Sequence, residues 1–333
     1  MAILILLRVA VFRTISKIIL CWLVVSRSAN NQLVFISKYT PVFRLLFCLT
    51  ALLLNAALAD AQEHRFTISA GGAANISDFN WSIAGNMQGQ SPNVLSELQF
   101  KKVSSLGIYI EGSYRLLKWL ELNGSWQKNG TIGGDGVDTD YEGDNRTHPT
   151  YNETFTSNRG WLETFSAGAQ ACFLSRERYR MKAGLFYTSS TQNYYLLNSG
   201  LEDLRSTYTA KWYGPKLSIG ADYNCNKKWA LSAAFAYYLV KYKASANWNL
   251  IEALMHPVSF RQTANGNMVD GQLGLSYALN SFCSLTLTGL IGRAETDQGL
   301  DVTYMRTNHQ ISTQFNGAHY HYYGLRIGAG IRF

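Results

Sequence analysis

The chain has 333 residues, 47% of them hydrophobic and only 16% charged, with 20 Tyr, 16 Phe, 8 Trp and 28 Gly against 5 Pro. Low charge with abundant Tyr and Gly, and no long apolar run after residue 60, fits an outer-membrane barrel better than a soluble enzyme. Much of the net charge of +8 lies in the first 61 residues, where Arg8, Arg13, Lys17, Arg27, Lys38 and Arg44 face only Asp60; no basic run follows, so no nucleic-acid partner is expected.

Lys38 and Arg44 precede the apolar run Leu45–Leu54 and the small-x-small sequence Ala59-Asp60-Ala61. That order reads as a secretory signal peptide over about 38–61, with Gln62 first in the mature chain. Upstream, Ile3–Leu7 and Ile18–Val25 are apolar but are separated by Arg8, Arg13 and Lys17. The interruptions count against a membrane-spanning helix and predict a true start near residue 36. Residues 1–61 are thus expected to be an export segment and 62–333 a single domain. Cys21 and Cys48 fall in the first part. Cys172, Cys225 and Cys283 sit at or beside predicted short turns, with no metal-ligand spacing.

From residue 64 the pattern is strand after strand with period two. Leu106, Ile108, Ile110 and Tyr114 share one face, with Gly107, Tyr109, Glu111 and Arg115 on the other. Leu217, Ile219, Ala221 and Tyr223 oppose Lys216, Ser218, Gly220 and Asp222. Leu273, Leu275 and Tyr277 oppose Gln272, Gly274 and Ser276. Apolar residues outward and small or polar residues inward are the signature of a transmembrane barrel. A soluble sandwich also alternates, but the export signal and the last strand favour the barrel. In that last strand Tyr323, Leu325, Ile327, Ala329, Ile331 and Phe333 fall on one face, and it should pair with the first strand to leave no edge.

Short turns are predicted near Leu116–Lys118, Leu174–Glu177, Cys225–Lys228 and Asn280–Phe282. Long loops are predicted near Asn86–Asn93, Tyr141–Tyr151, Ser199–Arg205, Leu250–Val258 and Arg306–Thr313. Four short and five long connections make an all-β fold, a ten-stranded antiparallel transmembrane β-barrel with long extracellular extensions. Short turns face the periplasm, and the expected location is the outer membrane of a Gram-negative-type bacterium.

The chemistry-bearing stretch is Val137-Asp138-Thr139-Asp140-Tyr141, behind the glycine-rich run Gly130–Gly136. Two carboxylates one residue apart on a strand point the same way. Held close, they cannot both ionise freely, and the pair can share a proton or hold a water. Asp-x-Asp beside glycines is more often a solvated turn, so its weight depends on its flanks. One parity problem stands. Leu120, Leu122 and Trp126 read as lipid-facing, and Asp138 and Asp140 would follow them outward unless a bulge at Gly133-Gly134 resets the face.

The flanks resemble the omptin family, outer-membrane endopeptidases on a ten-stranded barrel. Leu95–Lys101 resembles the family's Ser-x-Leu-Asp-Trp-Lys strand, Val137–Tyr141 its Val-Asp-x-Asp-Trp motif, and Arg146-Thr147-His148-Pro149 the Arg-His-Pro that follows. Gly160-Trp161-Leu162 and Lys211–Tyr223 resemble its next strand and its sixth. The resemblance implies a polypeptide substrate and a water held and deprotonated by Asp138 and Asp140 together with an Asp-x-His pair across the cleft. It implies no cofactor beyond a role for lipopolysaccharide, with outer-membrane lipid as the other partner. The departure lies at Ala246–Pro257, where no Asp-x-His exists. A gapless reading puts Asn249 and Ile251 there; a shifted loop would bring Glu252 and His256 into the role, on one face only in a helical turn.

His256 is therefore the candidate base, against the plainer reading of a loop residue. His148 is expected to support the loop beside the pair. His319 and His321 are candidates to approach the cleft, with an aromatic-girdle role the commoner alternative. Arg178, Arg180 and Lys182 are candidates to line the lumen. The alternative function is a catalytically degenerate barrel acting as adhesin, receptor or structural protein, with a porin a poorer third reading.

Overall fold

The computed structural model describes residues 65–198 and 200–333. The predicted export segment, the Gln62 start, Cys21 and Cys48 lie outside the described residues. Ten strands close a ring: β1 Phe66–Ile83, β2 Ser96–Leu117, β3 Leu120–Gly143, β5 Gly160–Ser175, β6 Tyr179–Asn198, β7 Leu201–Asn224, β8 Trp229–Asn247, β9 Phe260–Ala278, β10 Cys283–Thr296 and β12 Gln310–Arg332. The last strand pairs antiparallel with the first from Thr67↔Arg332 to Ile83↔Phe315, so the sheet has no free edge along that seam.

Two further strands, β4 Thr147–Thr156 and β11 Gly299–Tyr304, stand on the extracellular side and extend the wall between β3 and β6 and between β9 and β12. The stretch assigned to a loop at Ser199–Arg205 is mostly strand. β6 and β7 run on as a ladder from Leu196↔Ser206 down, with Asn198↔Leu201 at the tip. The polar residues there alternate with inward Leu204, Ser206 and Tyr208, which is why the ladder continues.

The outward face carries an apolar belt: Leu106, Ile108 and Ile110 on β2, Leu217 and Ile219 on β7, Phe235 and Leu239 on β8, and Leu325 and Ile327 on β12 are all exposed. Inside, the lumen has two levels. Near the short-turn end is a polar chamber of about 410 Å³, lined among others by Glu121, Lys182, Lys216, Asp222 and Arg326. Lys182 bridges Glu121 at 3.4 Å and Asp222 at 3.0 Å, and Arg180 bridges the same two acids, so these two lumen-lining candidates face the interior, whereas the third, Arg178, is exposed in the turn before β6. Above it the lumen is packed with Phe79, Trp81, Leu98, Phe100, Tyr194, Tyr208, Trp212, Tyr242, Phe260 and Phe315. Phe100 stacks on Tyr194 at 4.3 Å and Tyr242 on Phe315 at 5.6 Å. Each such ring contributes about 1.5–3 kcal/mol of burial. This cluster fills the lumen toward the ends of β1, β2 and β6 that lie away from the short turns.

Candidate functional site

The site begins with a break in register. The β2–β3 ladder slips between Lys101/Ser104 and Ser104/Ser105, opposite Gly133-Gly134, and Gly134 sits at φ +145°. Below the slip Gln127 and Asn129 face the lumen; above it Gly136 and Asp138 do. The bulge that the parity argument required is present, and it turns the aspartates inward. A β-carbon at Gly136 would lie 2.4 Å from Leu196 Cδ2, so the strand there lies directly on the aromatic cluster.

Asp138 is opposite Leu98 on β2 and opposite Glu153 on β4. It is 9% exposed. Burial, and then the charge of Asp140 beside it, push its carboxyl up to about 7. Asp140 is half-buried, two residues on and on the same face, roughly 7 Å along the strand. Tyr151 on β4 lies opposite Asp140. Its phenol is raised by its own burial, then by Asp138, Glu153 and Asp140, and remains a neutral donor beside the pair. A buried carboxyl that titrates near neutrality can take a proton from water and return it.

The reverse face of β3 is fastened separately. Tyr141 donates its hydroxyl to Glu97 Oε1 at 3.0 Å, Arg146 donates Nε to Glu97 Oε2 at 2.8 Å, and Gln99 donates to Glu97 Oε1 at 3.2 Å. Asn93 and the 144–145 turn exchange three more bonds. The three short sequence pieces around Glu97, Asp138 and Arg146 thus form one assembly. Glu97, Tyr151 and Glu153 were not singled out by sequence; only the knowledge that β4 pairs with β3 brings the last two to the aspartates.

His148 is exposed, has φ 52°, and sits with its ring over Gly143, at the start of β4. His256 is exposed in the β8–β9 loop, its Nδ1 2.8 Å from Asn247 Oδ1. Among the described residues no hydrogen bond joins it to Asp138 or Asp140. The Leu254↔Met305 bridge falls between Glu252 and His256, so the helical turn that would align them does not form. Asn249 caps the neighbouring wall instead, accepting from the Arg205 backbone and donating to the Asp203 carbonyl. His319 and His321 point outward, away from the cleft, with His321 Nε2 2.8 Å from Asp78 Oδ2; Tyr320 and Tyr322 take the inner face. Cys172, Cys225 and Cys283 are free thiols. Among the described residues no cluster of His, Cys, Asp or Glu has the arrangement of a metal site.

Residues 174–333 match a family described as Pom, Protochlamydia outer membrane protein. Among solved structures the chain is similar to the outer membrane protease OmpT from Escherichia coli, at 14% identity and a TM-score of 0.65, over 82% of this chain and 99% of that one. It also matches, at TM-scores too low to carry an argument, the outer membrane protein OprG from Pseudomonas aeruginosa (10% identity, 82% and 99% covered, 0.35) and Ail from Yersinia pestis (11%, 82% and 100%, 0.28). No curated protein matches by sequence. At 14% identity the first likeness speaks to fold. The chain is an outer-membrane β-barrel protein whose ten-stranded antiparallel ring resembles that of OmpT.

Proposed function

We propose that the barrel is a surface endopeptidase of omptin type whose water is activated by Asp138 and Asp140 at the extracellular mouth. The observation that carries this reading is the burial of Asp138 beside Asp140, which keeps a proton on that carboxyl up to about pH 7. In its ionised form Asp138 takes the proton of a water attacking the peptide carbonyl, and Tyr151 donates to the developing oxyanion. His256 contributes little as base in this account, because its ring is engaged by Asn247. A peptide-library assay on refolded protein with lipopolysaccharide, run beside Asp138→Asn, tests it: cleavage by the parent and its loss in the variant are expected.

The second reading is a barrel that has lost its base and serves as adhesin, receptor or structural protein. The same Asn247–His256 bond favours it, as do the exposed Leu250, Ile251 and Met255 on that loop. Absence of cleavage in parent and variant alike would select it.

The membrane partner we propose is a phosphorylated outer-leaflet lipid such as lipopolysaccharide. Lys211, Lys241 and Lys243 are exposed just above Tyr237 and Leu239 of the apolar belt. Lys211 lies directly opposite Lys243, both ammonium groups stand over the Tyr213 ring at 5.6 and 5.8 Å, and among the described residues none of the three has a salt bridge. Like charges facing each other across a ladder are destabilising unless an anion joins them.

A further inference from the structure

Asp301 on β11 is 1% exposed, and among the described residues no Lys, Arg or His forms an ion pair with it. Its Oδ1 accepts from Gln262 Nε2 at 2.9 Å and its Oδ2 from Thr303 Oγ1 at 3.4 Å. Gln262 Oε1 in turn accepts from Tyr208 Oη at 2.5 Å, and Tyr208 meets Tyr242 Oη at 2.5 Å. A polar chain therefore runs from β11 through β9 into the aromatic cluster. Asp301 also sits opposite Thr313 of β12, whose buried Oγ1 has no hydrogen-bond partner among the described residues. Arg261, next to Gln262 on β9, lies on the opposite face over Tyr304. The titratable groups facing Asp301 from the packed strands are the phenols of Tyr208 and Tyr242, both held neutral by burial.

The far end of β11 fastens the loop that carries His256. The Met255 N–H donates to the Tyr304 carbonyl at 2.8 Å, the Arg306 N–H to Ala253 at 2.8 Å, and Leu254 bridges Met305. We infer that β11 is a proton-sensitive clamp on the 249–258 loop, closed when Asp301 is protonated and loosened when it ionises. A neutral acid sits among an amide, two hydroxyls and two rings at little cost, whereas an ionised one there is an unpaired buried charge. Burial accordingly pushes its carboxyl up to about 6. With the folded value raised above the ordinary 3.8, the stabilisation is complete below about pH 4 and is lost as pH rises through 6. The clamp stands apart from any catalytic role, because it is read on backbone protection.

Hydrogen exchange of the refolded Asp138→Asn barrel, taken as the parent so that only Asp301 titrates in this range, tests this, with protection factors for the Met255 and Arg306 amides compared at pH 4.5 and 7.5. Opening of these two bonds should increase on the order of a hundredfold at the higher pH, with a midpoint near 6 and no comparable change at Trp212. Asp301→Asn, which keeps the shape and removes the charge, should hold both amides protected at both pH values. Equal protection of the parent at both pH values, or a drop that persists in Asp301→Asn, overturns the clamp. The parent titration decides alone if the variant does not refold.

Discussion

Arg146 donates Nε to Glu97 Oε2 at 2.8 Å across 49 residues of chain, and this bond joins the wall of β2 to the turn that follows the aspartate pair. Glu97 is buried and also receives Tyr141, the residue after Asp140, so it fixes the end of β3 from behind. Replacing it by Ala leaves Tyr141 and Arg146 without their acceptor. The expected cost is about 1–3 kcal/mol, seen as a lower unfolding midpoint and faster hydrogen exchange over residues 141–149.

The bulge makes a prediction of its own. Gly134 holds a left-handed φ, and a β-carbon there would stand 2.9 Å from Val103 Cα and 3.1 Å from the Ser157 carbonyl. Gly134→Ala should cost about 1–3 kcal/mol. Because the bulge also sets the face of β3, a cysteine at Asp138 should become more reactive to a soluble thiol reagent in Gly134→Ala than in the parent background.

Much of this was legible in the sequence because barrel physics is written with period two. The lipid-facing residues of β2, β7, β9 and β12, the four short turns and the seam between first and last strands all follow from alternation. The Gly133-Gly134 bulge was legible as a contradiction: lipid-facing Leu122 and inward Asp138 have the same parity, so something between them had to slip. The extracellular ladder was less legible. Around Ser199–Arg205 charged and polar residues mask the inward alternation of Leu204 and Ser206; β4 folds back on β3 through the 144–146 turn inside a polar stretch, and β11 is only six residues long. The partner of His256 depends on the path of a loop, which no spacing rule supplies, and Asp301 looks like any acid until its burial is known.

Stability should depend on pH through Asp138. Burial and Asp140 raise its carboxyl from 3.8 to about 7, so the folded state gains from the proton. That stability is complete below about pH 4 and is lost as pH rises to about 7. Asp138→Asn should match the parent near pH 4 and exceed it at pH 8 by up to about 4 kcal/mol. Denaturant unfolding at the two pH values checks this; a variant no more stable than the parent at pH 8 would mean that the carboxyl is better solvated than its burial indicates.

The lysine cluster predicts salt-sensitive lipid binding. Changing Lys241 and Lys243 to Ala should weaken association with lipopolysaccharide by about 1 kcal/mol for each lysine and lower its dependence on ionic strength. Vesicles of neutral phospholipid should not distinguish variant from parent. Equal affinity of both for lipopolysaccharide would place its phosphates elsewhere on the barrel.

The pH–rate profile of peptide cleavage tests the central claim most directly, measured as kcat/KM for the parent, Asp140→Asn and Asp138→Asn in the presence of lipopolysaccharide. The parent should show an acidic limb near pH 7, Asp140→Asn should move that limb to lower pH by removing the neighbouring charge, and Asp138→Asn should lose at least about 100-fold in rate. Cleavage by Asp138→Asn at the parent's rate, or a limb that stays in place when Asp140 is neutralised, would contradict a base made of this aspartate pair.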